Sequence, residues 1–249
     1  SSQRRWHAPF RRQRRASTAS ISTLRTDPSL VDDRHAPIDW EPSAAVVYPN
    51  VCTEDEAEHL TTTILSRLKR RRYEKGHWDS VIAQYKEIEL EKEHNITDES
   101  SVIHAIFQRL RQHLQQHHLS HKPAESLAWL PCHAIDLKRD GELNAHVDSI
   151  KFSGDLVAGL SLLSPSIMQL KPDETQLLDE EAAAVTDDNL PCINLYLPPL
   201  SLYALTGPAR YRYTHELLPS DSIFTNPING ETISVERDHR LSIIFRDSK

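Results

Sequence analysis

The segment Asn144-Ala145-His146-Val147-Asp148-Ser149-Ile150-Lys151-Phe152 sets a histidine and an aspartate two residues apart, in a half of the chain built from short apolar runs. Alternate side chains of an extended strand share a face, so the His146 imidazole and the Asp148 carboxylate are expected to project together. Around this segment, residues 127–137 are apolar, Gly141 is expected to mark a turn before the His146 strand, and apolar runs follow at 156–163 and 167–170. Ile193, Leu195 and Leu197 alternate with Asn194 and Tyr196, and 202–205 continues beyond Pro198-Pro199. Residues 210–218 and 233–246 complete the set. Many short strands at this spacing predict an antiparallel sandwich or barrel.

An imidazole and a carboxylate supply two of the three ligands of a 2-His-1-carboxylate iron site. The third candidate is His215, in Arg210-Tyr-Arg-Tyr-Thr-His215-Glu-Leu217. In a chain with 14 histidines such a tripeptide arises easily by chance, so the weight rests on order and context. Downstream, Arg240-Leu-Ser-Ile-Ile-Phe-Arg246 reads as a strand with Arg240, Ser242, Ile244 and Arg246 on one face and Leu241, Ile243 and Phe245 toward the core. The two arginines stand roughly 20 Å apart along the backbone, yet long guanidinium side chains can converge on a small dicarboxylate. The competing reading is a pair of surface arginines on an edge strand.

The first half reads as helical. Thr53-Glu54-Asp55-Glu56 is a capping box, and Ala57, Leu60, Ile64, Leu65 and Leu68 follow at helical spacing, closed by Lys69 to Arg72. Arg70-Arg-Arg-Tyr73-Glu-Lys-Gly76-His77-Trp78-Asp79 interleaves base with aromatic, as an RNA contact would. A cationic last helical turn followed by a strand with inward aromatics is the preferred reading. Residues 86–99 are charged and read as a surface loop, and 98–118 as a second helix along Val102, Ile106, Leu110 and Leu114. Its end carries His113, His117, His118 and His121, which the polar surroundings predict to be a solvated tail rather than a metal site.

Residues 1–26 hold seven arginines and no acid, with many Ser, Thr and Ala, which is the composition of a mitochondrial transit peptide; a basic nucleic-acid arm or a plain tail competes. Residues 27–45, with Pro28, Pro37 and Pro42, read as a linker, and the seven acids of 171–191 mark an acidic insertion. Of 29 lysines and arginines, seven lie in the first 26 residues, leaving 22 against 36 acids. A body that acidic is repelled by phosphate, so duplex DNA is not an expected partner. No apolar run approaches the roughly 20 residues of a membrane span. Cys52, Cys132 and Cys192 form no CxxC, which suits a reducing compartment.

The chain resembles the AlkB-like oxygenase family, and within it the mitochondrial branch. The carrying segments are Arg71-Arg-Tyr-Glu74, His77-Trp-Asp79, His146-Val-Asp-Ser-Ile-Lys-Phe152, Ala158-Gly-Leu-Ser-Leu-Leu-Ser-Pro-Ser166, Ser201-Leu-Tyr203, Ala209-Arg-Tyr211 and His215-Glu216. The resemblance covers about 44–246 and implies a mainly β fold with flanking helices, a double-stranded β-helix (jelly-roll) core within a domain at 46–249. It implies a dioxygenase of the mitochondrial matrix using Fe(II), 2-oxoglutarate and O2. His146, Asp148 and His215 would hold the iron, and Tyr203 (through its hydroxyl), Arg240, Ser242 and Arg246 the 2-oxoglutarate. The branch is linked to fatty-acid metabolism and programmed necrosis. A protein side chain is the expected substrate. The alternatives are demethylation of N-methylated bases in mitochondrial RNA and a non-catalytic 2-oxoglutarate-binding regulator, against which the full ligand set argues. Three features depart from the family: Ser242 and Ile244 replace Asn and Thr of the usual RxNxTxR, Pro199-Leu200 replaces Pro-Gly, and the 171–191 insertion is longer than expected.

Overall fold

A computed structural model describes residues 24–76, 81–92, 98, 101–173 and 191–249. The expected transit peptide up to residue 23, the His77-Trp78-Asp79 part of the basic patch, and 174–190 of the acidic insertion lie outside the described residues.

Two antiparallel sheets face one another. The larger runs β2 (Ala45–Tyr48), β8 (Ser201–Leu205), β5 (Ser153–Leu162), β12 (Arg240–Ser248), β4 (His133–Leu143), β3 (Ile82–Glu89). The smaller runs β1 (Val31–His35), β7 (Cys192–Leu197), β6 (Ser166–Pro172), β9 (Tyr213–Leu217). A separate hairpin joins β10 (Ser222–Thr225) to β11 (Thr232–Val235). Strand alternation sends one set of side chains between the sheets, where Val47, Leu137 and Leu205 meet Met168, Leu170, Ile193, Leu195 and Leu217. The opposite face of the larger sheet, with Leu241, Ile243 and Phe245, is covered by α1 (Glu54–Leu68) and α2 (Val102–His118). This is the expected jelly-roll core with flanking helices. Among the described residues no helix is long and apolar enough to cross a membrane, and the three cysteines are free thiols.

Several local expectations are corrected. Residues 86–89 of the expected surface loop instead belong to the edge strand β3; Tyr85 packs between the sheets and Ile88 on the opposite face under the helices, while Lys86, Glu87 and Glu89 are half-buried. Residues 31–35 of the expected linker add strand β1 to β7. Gly141 lies within β4, where residues 138–141 bulge opposite Gln84; a Cβ there would stand 2.9 Å from Leu137 Cγ, so the close approach requires glycine. Arg237 fills the bulge by donating to the Lys138 and Gly141 carbonyls at 3.2 and 2.7 Å.

The capping box of α1 is formed as expected, with Thr53 and Glu56 bonded reciprocally, and Glu56 also accepts from Arg109 of α2 at 2.7 Å. The α2 end is not a solvated tail. His113 is buried, its ring edge-on to Tyr48 at 4.7 Å, and His118 Nε2 lies 2.9 Å from the Tyr48 hydroxyl. Burial, with the nearby charge of His117, pushes both imidazoles down to about 4. Residues 210–218 are not one strand either: α3 (Gly207–Tyr211) carries Arg210, and β9 starts at Tyr213. Gly207 at φ 47° makes the turn into α3.

Candidate active site

His215 sits in the middle of β9, between Tyr213 and Leu217 on the inward face, and is 6% exposed. On one side β9 pairs with β6; on the other a single β-bridge joins His215 to His146, with N–H to O distances of 2.9 and 3.2 Å. His146 therefore lies not in a strand but in the irregular 144–152 segment, fixed by that bridge. His146 and Asp148 nevertheless project together: His146 Nε2 is 3.3 Å and His215 Nε2 3.9 Å from Asp148 Oδ1. One ligand atom from each of the three lies within 4.8 Å of the others. His146 Nδ1 contacts the Asn144 carbonyl at 2.8 Å, so Nδ1 carries the proton and Nε2 keeps its lone pair turned inward.

Electrostatics keep Asp148 ionised and His215 neutral, the forms a metal needs. Burial alone would raise the Asp148 carboxyl, but its neighbours His146, His215 and Arg246 hold it well below the usual carboxylate range. Burial and the neighbouring His146 push His215 down to about 4, so it is neutral at pH 7 despite Asp148.

Beside the trio, the inward face of the larger sheet carries three cross-strand rows. Ser201, Ser161 and Ser242 form one; Tyr203, Gly159 and Ile244 the next; Leu205, Val157 and Arg246 the third. The Tyr203 ring lies directly over Gly159, where a Cβ would stand 2.6 Å from Cζ and 2.7 Å from the hydroxyl. Arg240 is 3% exposed and donates to Ser161 Oγ at 3.1 Å. Among the described residues no carboxylate pairs with it, and the Nε atoms of both Arg240 and Arg246 have no partner. Burial pushes the Arg240 guanidinium down to about 10, opposed by Tyr203. Arg246 Nη1 stands 3.8 Å from Asp148 Oδ2. Burial pushes the Tyr203 hydroxyl up to about 12, and Arg240, Asp148 and Arg246 all act on it. So the side chains expected to hold a metal and a dicarboxylate meet in one place, with Arg240 buried and Arg246 half-buried rather than both on a surface edge. A buried guanidinium without a counter-anion is costly, and a small dicarboxylate would supply the missing charge.

No family model matches the chain. Its sequence is 38% identical over 202 residues to the mouse (Mus musculus) alpha-ketoglutarate-dependent dioxygenase alkB homolog 7, mitochondrial, spanning 81% of this chain and 77% of that one. The cattle (Bos taurus) protein of the same name is 36% identical over 203 residues, spanning 82% and 78%. The chain belongs to the alkB homolog 7 family. Members of that family are 2-oxoglutarate-dependent dioxygenases, and the present chain is one. Its fold is shared with the solved structure of OsALKBH1 (TM-score 0.53, 15% identity, 83% of this chain and 99% of that one). A Pseudomonas putida prolyl-4-hydroxylase is similar at TM-score 0.50 and 13% identity, over 83% of this chain and 92% of that one. At such identities the likeness speaks to fold alone.

Two contributors carry no sign in a strand pattern or an HxD motif. Gly159 makes room for Tyr203; a glycine inside an apolar strand is the available hint, since it marks a close approach. Arg210 donates to the Asp148 carbonyl at 3.0 Å, the Ser149 carbonyl at 3.2 Å and Ser153 Oγ at 2.5 Å. The family-like segment Ala209-Arg-Tyr211 marks its position, but nothing in the strand pattern or spacing gives its role.

Proposed function

We propose that this chain is an Fe(II)- and 2-oxoglutarate-dependent dioxygenase of the mitochondrial matrix that hydroxylates a protein side chain. The observation that carries the chemistry is the meeting of His146, Asp148 and His215 beside the buried, carboxylate-free Arg240. His146 and His215 would hold iron through Nε2 and Asp148 through its carboxylate. Arg240, with Ser242 and Tyr203 nearby, would hold one carboxylate of 2-oxoglutarate, and Arg246 would neutralise charge next to Asp148. Bound iron with 2-oxoglutarate and O2 supplies the oxidant for hydroxylation of a C–H bond, with succinate and CO2 as co-products. The protein's part is to keep His215 neutral and Asp148 ionised, and to hold the co-substrate in a positively charged slot. The physiological setting implied by the resemblance, fatty-acid metabolism and programmed necrosis, belongs to the same proposal.

Charge favours a protein over a nucleic acid as substrate, since 36 acids outweigh 22 bases beyond residue 26. Exposed Arg70, Arg71 and Arg72 favour the RNA demethylase alternative. Against it, the Tyr73 ring is already engaged by the ammonium groups of Lys86 and Lys138 at 4.2 and 4.6 Å, and its hydroxyl by Asp136. Succinate release from Fe(II) and 2-oxoglutarate, with a mitochondrial protein fraction or an RNA fraction added, separates the readings. Stimulation by protein, with a hydroxylated peptide in the mass spectrum, is the expected result. Stimulation by RNA with formaldehyde release overturns the protein reading, and no stimulation by either, with 2-oxoglutarate bound, leaves the regulator.

A further inference from the structure

Between Leu143, which ends β4, and Ser153, which starts β5, nine residues carry both His146 and Asp148 with no regular structure beyond the His146–His215 bridge. Metal sites need their ligands held to within about half an ångström, a demand an irregular segment does not meet unaided. The bridge fixes His146. Asp148 lies two residues beyond it.

What reaches the Asp148 backbone is Arg210. Its guanidinium is 2% exposed, and its fork spans two successive carbonyls, of Asp148 and Ser149, then the Ser153 hydroxyl at the start of β5. Arg210 stands on α3, five residues before His215. One side chain thus ties the backbone of the carboxylate to the helix–strand unit bearing the distant histidine. Among the described residues it has no carboxylate partner, and its Nε is unsatisfied. A buried cation answered by carbonyls, a hydroxyl and the Tyr211 ring at 5.1 Å, with no carboxylate, is a poor device for stability alone, since an apolar side chain of similar volume is often as good or better. The neighbouring Tyr211 grips the far end of the same stretch, donating to the Gly154 carbonyl at 3.1 Å and Asp155 Oδ1 at 2.6 Å.

We propose that Arg210 is a positioning residue for the metal site, holding the Asp148 carboxylate in register with His215 by clamping the backbone from 148 to 153. The proposal rests on the reading of His146, Asp148 and His215 as ligands. Mn(II), titrated into the full chain, is the probe, with melting temperature read in parallel. Arg210→Met is expected to weaken Mn(II) binding by about tenfold or more, as loss of an outer-shell partner does. Arg210→Lys, which reaches one carbonyl but not two, is expected to fall between it and the wild type. Tyr211→Phe lowers the melting temperature but leaves Mn(II) affinity unchanged. Wild-type affinity in folded Arg210→Met overturns the proposal, as does wild-type affinity in Arg210→Lys if Arg210→Met fails to fold. Equal losses in Arg210→Met and Tyr211→Phe, tracking their melting temperatures, overturn it too. Asp148→Ala separates the two levels: wild-type affinity there overturns the ligand reading itself. A dead Asp148→Ala beside a normal Arg210→Met overturns only the role of Arg210.

Discussion

Arg240 is where stability and function pull apart. Its guanidinium is buried, hydrogen-bonded to Ser161, and unpaired with any carboxylate among the described residues. Removing such a cation relieves a desolvation cost, while removing a charge-assisted contact to a ligand carboxylate costs about 1.5–3 kcal/mol. Arg240→Leu is therefore expected to melt at or above the wild-type temperature yet bind 2-oxoglutarate at least about tenfold more weakly. A lower melting temperature with unchanged co-substrate affinity would make Arg240 structural. Gly159 carries the complementary case, because any Cβ there collides with the Tyr203 ring. Gly159→Ala is expected to cost about 1–3 kcal/mol in urea unfolding, the usual range for overpacking, and to weaken 2-oxoglutarate binding together with it. At this scale the candidate residues were readable because their chemistry is unusual: His146, Asp148, His215, Arg240 and Arg246 are the residue types of an iron and dicarboxylate site. The role of Arg210 was not readable, since it depends on reaching a backbone 62 residues away.

Elements differ in how openly they announce themselves. Strand β7 alternates apolar with polar and is recognised at once, and α1 advertises its start through the Thr53–Glu56 box. Strand β3 is hidden because it is an edge strand, whose outward positions carry charge that discourages pairing with other chains. Lys86, Glu87 and Glu89 make it look like a loop, and only Tyr85, facing the space between the sheets, and Ile88, facing the helices, betray its burial. The end of α2 misleads for the opposite reason: a histidine counts as polar in a sequence, yet neutral His113 packs like an aromatic against Tyr48. That packing has a pH signature. The folded values of His113 and His118 are depressed to about 4 from the ordinary 6.5, so the unfolded chain takes up protons first as pH falls. Their contribution is fully present above about 6.5 and is lost as pH drops from there toward 4. His113→Leu is expected to flatten the pH dependence of urea stability across that window; an unchanged slope contradicts the burial argument.

On the scale of the whole molecule, the fold is two cores on either side of one sheet, and polar ties join the layers. Asp247, at the end of β12, is fully buried; it accepts from Lys122, just beyond α2, at 2.6 Å and from the amides of Asp155 and Leu156 at 3.2 and 2.9 Å. Removing one partner of a buried pair leaves the other uncompensated, and Asp247→Ala is expected to cost about 3 kcal/mol in urea unfolding. A cost near zero would show that the helical layer does not depend on this tie. The jelly roll was legible because its strands are short, apolar and turn-bounded, whereas β1 was lost in a proline-rich stretch whose pairing with β7 is a contact across more than 150 residues.

The central claim is that His146, Asp148 and His215 bind a metal that, with Arg240, forms one continuous 2-oxoglutarate site. Calorimetric titration of 2-oxoglutarate with and without Mn(II), in wild type and Asp148→Ala, tests it most directly. Metal should tighten wild-type binding by about tenfold or more, as a second anchoring point does, and Asp148→Ala should abolish that gain while keeping the weak metal-independent binding. Equal wild-type affinities with and without Mn(II), or a metal gain that survives in Asp148→Ala, would contradict the account.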